Sequence, residues 1–122
     1  MLLQNGEIYN AYNALKDLTK RDWSVKQSLA LIKLAQDLRN TFDKIDLVRL
    51  GLARKYEKEK GLGVKVTDDT WNSFAEEFNE LMEENTELDF TKVVLPFVVN
   101  GKDVFVAPDI IQALNSFVEF KE

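Results

Sequence analysis

The chain has 122 residues, 45% of them hydrophobic and 30% charged, with a formal net charge of −5. That length suits one domain with one core, and the composition is too apolar for a disordered chain. Cysteine and histidine are both absent, which excludes disulfides, thiolate nucleophiles, histidine bases and every serine–histidine triad.

The charge is unevenly spread. Residues 1–62 hold 12 Lys/Arg against 8 Asp/Glu, and residues 63–122 hold 4 against 13. Such asymmetry marks either a partner surface or two halves that complement each other once packed. The first residues lack a basic region followed by an apolar run, and nowhere do about 18 apolar residues follow one another. Neither a signal peptide nor a membrane span is expected.

A first helix is predicted from about Gly6 to Thr19, with Asn5 as its N-cap. Ile8, Tyr9, Tyr12, Leu15 and Leu18 recur at helical spacing and give it an apolar face. Lys20 to Trp23 forms a turn, and Ser24 caps a second helix that meets no strong break before Gly61. Leu31, Leu38, Ile45 and Leu52 stand seven residues apart, with Leu34 and Val48 at the matching intermediate positions. A helix over 25–59 is about 50 Å long at 1.5 Å per residue, whereas a domain of this size has a radius of gyration of about 14 Å. It must bend, break or protrude, and Gly51 is its weak point. Leu47 and Leu50 lie off the stripe and suggest a second buried face.

Residues 62–66 read as a loop. A third helix follows from about Asp69 to Asn85, capped by Thr67 or Asp68, with Trp71, Phe74, Phe78, Leu81 and Met82 as its apolar stripe. The period then changes to a β-prone run from Leu88 to Val99. Asn100-Gly101 is a strong hairpin signal, because both residues accept positive φ, and Val104–Val106 is the expected return strand. Pro96 confines its strand to an edge or a late start. Pro108 opens a last helix with Ile110, Ile111, Ala113, Leu114, Phe117 and Val118 on its core face. The fold class is therefore α+β, mostly helical: a long central helix, flanking helices and a C-terminal β-hairpin in one domain over residues 1–122.

Glu76, Glu80, Glu83, Glu84 and Glu87 share roughly one face at spacings of three and four. Such a column could meet a basic protein or hold a hard cation, and it is also what an exposed acidic helix looks like. The basic residues Arg39, Lys44, Arg49, Arg54, Lys55, Lys58 and Lys60 spread around the long helix and build no nucleic-acid patch. Gly61-Leu62-Gly63 is too short to cradle a phosphate. No catalytic, cofactor-binding or metal-ligating residue is assigned. The stripe of Leu31, Leu34, Leu38, Ile45, Val48 and Leu52 is the sharpest positive signal, expected to meet a second copy or another protein. The alternative is a bent helix wrapped within one subunit.

Four stretches taken together, LLQNGEIYNAYNAL (2–15), RKYEKEKG (54–61), FAEEFNELMEENTELDF (74–90) and APDIIQALNSFVEF (107–120), resemble small uncharacterised proteins of tailed bacteriophages and prophages. The resemblance spans most of the chain and carries no assigned site residues. It implies a phage or prophage origin and action in the cytoplasm of a bacterial host. The polar turn at Lys20–Asp22 and Trp23 depart from the shorter corner expected of that group. The expected function is that of a non-enzymatic accessory protein that binds protein, a host or phage protein or a second copy of itself. The alternative is an acidic inhibitor or nucleic-acid mimic that blocks a host nucleic-acid or defence enzyme.

Overall fold

Every apolar helix face needs a cover, and this chain supplies one for part of its helical surface from its own strands and neighbouring helices. The computed structural model describes residues 1–121. In chain order the elements are β1 (Leu2–Gln4), α1 (Asn5–Leu18), α2 (Val25–Tyr56), α3 (Trp71–Glu83), β2 (Asn85–Glu87), β3 (Val93–Leu95), β4 (Val98–Val99), β5 (Lys102–Asp103), α4 (Pro108–Ala113) and β6 (Val118–Phe120). Among the described residues no helix is long and apolar enough to cross a membrane.

The predicted α+β architecture is present, with the long central helix and the C-terminal hairpin. The strands form three small pairs: β1 with β2 antiparallel, β3 with β6 parallel, and β4 with β5 antiparallel. The core gathers Ile8, Leu15 and Leu18 of α1, Leu31, Leu34 and Leu38 of α2, Leu95, Leu114 and Phe117. Trp23 closes the α1–α2 corner by donating its indole N–H to the Leu18 carbonyl at 2.9 Å. Ser24 caps α2, accepting from Gln27 N while the Gln27 side chain accepts from Ser24 N.

Several boundaries depart from expectation, each for a local reason. The N-cap of α1 is Gln4, because β1 runs straight into the helix. Asn5 is instead buried and clasps a distant segment: its side-chain N–H donates to Leu81 O at 3.0 Å, and its side-chain oxygen accepts from the Thr86 hydroxyl at 2.6 Å. α3 begins only at Trp71, after Thr70. The Asp68 carboxylate is taken by Lys65 N and the Thr70 hydroxyl by the Tyr56 carbonyl, so neither Thr67 nor Asp68 caps the helix.

The hairpin turns at Asn100 (φ 53°) and Gly101 (φ 76°). A two-residue turn returns the chain at once, so the partner strand is Lys102–Asp103 and not Val104–Val106. The last helix stops at Ala113, so Phe117 and Val118, read from sequence as part of its core face, lie beyond it, and Val118 opens the strand Val118–Phe120 that pairs in parallel with β3. Helix α2 runs unbroken through Gly51 to Tyr56, a length of about 48 Å. It neither breaks at the glycine nor stays within the core.

Candidate protein-binding surface

The apolar stripe of α2 is covered by the chain itself as far as Ile45, whereas Val25, Leu29 and Ile32, which lie off the stripe, stay exposed. Leu31, Leu34 and Leu38 lie in the core, and Ile45 is also buried. Phe42 stacks on Tyr9 and Tyr12 of α1, with ring centroids 5.0 and 4.3 Å apart. The expectation that the whole stripe faces a second chain is corrected for these four positions. Helix α1 and the strands fill the space a partner helix would need. Only Val48, at 49% exposure, and the half-buried Leu52 remain from the predicted set.

Beyond Ile45, α2 leaves the core and is covered on one side by α3. The start of α3 is tied to the end of α2. Thr70 Oγ1 donates to Tyr56 O at 2.7 Å, Lys55 Nζ lies 3.2 Å from Glu77, and Lys58 Nζ lies 3.0 Å from Asp69. The Lys55 ammonium is held above its usual range chiefly by its hydrogen bond to Glu77. Glu77 is held below the usual carboxylate range by the Tyr56 hydroxyl first and by Lys55 second. The connecting loop is drawn together by Glu57, whose carboxylate accepts from Gly61 N and Gly63 N, both at 3.1 Å. The far end of α3 reaches α1, where a methyl group on Gly6 would meet the Met82 carbonyl at 3.3 Å.

The cover is thin. No residue of α3 is fully buried. Trp71, Phe74 and Phe78 form a ladder with successive ring centroids 5.7 and 5.9 Å apart, and all three rings stay half-buried. On α2 itself Leu47 and Leu50 share one face at a spacing of three, turned away from the stripe. They are exposed at 70% and 38%, against the expectation of a second buried face. Leu62 and Val66 in the connecting loop are exposed as well. An arm made of the second half of α2, the loop and α3 therefore carries apolar surface that nothing among the described residues covers. The sequence marked Leu47 and Leu50 only by their being off the stripe. Their exposure depends on where α3 lands.

The acidic residues do not form one column. Glu76, Glu80 and Glu83 stand exposed on α3, away from the aromatic ladder. Glu84 is the C-cap, and Glu87 lies in β2 and pairs with the N-terminal ammonium. The helix ends before the last two, and the turn into β2 carries them elsewhere. Among the described residues no group of three or more acidic side chains gathers at metal-binding distance.

Comparison of the chain with family models, with curated proteins and with solved structures returned no match.

Proposed function

We propose that this protein acts by binding protein, without catalysis, and that the α2–α3 arm is its docking surface. A second copy of the chain is the first partner expected. The observation that carries this reading is the exposure of Leu47 and Leu50 beside a half-buried aromatic ladder. Apolar surface of this kind is stabilised by removal from water at about 25 cal/mol per Å². The resemblance of residues 2–15, 54–61, 74–90 and 107–120 to proteins of tailed phages supports reading it as an accessory protein working in a bacterial host cytoplasm.

Sedimentation velocity tests the arm. The wild type is expected to self-associate with rising concentration. A Leu47→Glu/Leu50→Glu variant is expected to stay monomeric with its helical circular dichroism intact. A wild type that stays monomeric throughout, or a variant that associates as well as the wild type, would sink the arm as a self-docking surface.

A second reading, an acidic inhibitor or nucleic-acid mimic, draws on Glu76, Glu80 and Glu83. These are exposed and have no ion-pair partner among the described residues. It expects salt-sensitive binding to a basic host enzyme that reversal of the three glutamates to lysine abolishes. Binding unchanged by that reversal would remove it.

A further inference from the structure

A groove of about 540 Å³ runs between the first half of α2 and β3, on the part of α2 that lies away from Leu47 and Leu50. Ala30, Leu34 and Val93 give it an apolar lining, and its charged lining is Lys26, Lys33 and Lys92 against one carboxylate, Asp37. Among the described residues β3 pairs with β6 alone, so its second edge has no strand partner. The ladder shows which backbone groups that edge offers. Val93 N donates to Phe117 O at 3.0 Å and Lys121 N to Leu95 O at 2.8 Å, so residues 93 and 95 turn their polar groups toward β6. By the alternation of a strand, the N–H and C=O of Val94 turn the other way, and Val94 lines the groove.

We propose that this groove receives an extended acidic peptide segment of a partner protein, added as a strand to the free edge of β3. An edge amide and carbonyl are met by another backbone in extended form, and a helix has none to give. The charge selects the sequence. Of the three lysines only Lys33 has a carboxylate partner among the described residues, Asp37 at 3.3 Å. Lys26 and Lys92 have none. Alternate side chains of the incoming strand meet the apolar lining, and the others place carboxylates near the ammonium groups. A second copy fits poorly, because pairing β3 with β3 brings two sets of the same lysines together. The short strand, with Lys92 before it and Pro96 after it, also resists self-pairing.

The test uses the full chain and a fluorescein-labelled octapeptide of alternating aspartate and valine, read by fluorescence anisotropy. Saturable binding is expected that weakens as sodium chloride rises from 50 to 500 mM. The matching lysine–valine peptide should bind at least tenfold more weakly. Val94→Pro deletes the edge N–H without touching a bond to β6, and it is expected to weaken binding at least tenfold at unchanged circular dichroism. If that variant does not fold, Lys26→Glu/Lys92→Glu decides, with the same loss expected. Equal binding of the two peptides, tighter binding of labelled oligothymidylate, or full binding by a folded Val94→Pro or the double charge variant would each overturn the proposal. Leu47→Glu/Leu50→Glu should bind the peptide like the wild type, so failure here and failure of the arm are separately visible.

Discussion

One helix lives in two environments. The first half of α2 presents Leu31, Leu34 and Leu38 to a core in which each is at most 1% exposed. The second half carries the same spacing onward, through Val48 and Leu52, into an arm where α3 covers it without burying any residue of its own. Heptad spacing therefore says that a face is apolar. It does not say whether the cover comes from the same chain or another. What separates the halves is what lies within reach: α1 and β3 beside the first, a single short helix beside the second.

The difference is measurable as a gradient of stability along α2. Leu38→Ala is expected to cost about 2–5 kcal/mol in urea unfolding, since it leaves a cavity in packed surroundings. Leu52→Ala in the arm should cost about 1 kcal/mol or less, because a half-buried side chain has less transfer energy to lose. Equal losses at the two sites would erase the distinction between core and arm.

Asn5→Ala sharpens the same contrast at the joint between the regions. It leaves the Leu81 carbonyl and the Thr86 hydroxyl without their partner, for an expected loss of about 1–3 kcal/mol. The far end of the arm should then loosen first, seen as faster amide exchange across α3 than across α1.

Gly51 offers a change of opposite sign. A methyl group there meets nothing within 4 Å, and alanine is the better helix former, so Gly51→Ala is expected to stabilise by about 0.5–1 kcal/mol. A loss would mean that the arm needs the flexibility of that position.

The smallest effect belongs to the exposed Lys55–Glu77 pair. Glu77 is lowered in the fold, so its contribution is present above the ordinary carboxylate pKa and fades as pH falls through the lower folded value. Lys55 is raised, so its contribution is present below the ordinary lysine pKa and fades as pH rises through the higher folded value. The melting-temperature gap between wild type and Glu77→Gln should therefore be open near neutral pH, close at both extremes, and shrink in 0.5 M salt.

Much of the secondary structure was readable from local signals. Ser24 announced the start of α2, Asn100-Gly101 the hairpin, and Pro108 the start of α4, because caps and turns are made by residues a few positions apart. Strands β1, β2 and β6 were not readable. Each has only three residues, and each exists because a distant segment pairs with it, Leu3 with Thr86 and Val94 with Glu119. The candidate surface was half readable. The stripe lies on the helix that carries the proposed surface, but mostly on the part of it that the chain itself covers.

By itself, then, the sequence determined that a long apolar-striped helix exists, where it begins, and that no histidine or cysteine chemistry accompanies it. Those properties follow from residue type and spacing along the chain. Only the tertiary structure decided that Leu31, Leu34, Leu38 and Ile45 turn inward while Leu47 and Leu50 stay in water, and that the edge of β3 faces three lysines. Burial depends on which distant segments arrive at a face, and that is settled by packing across the whole molecule.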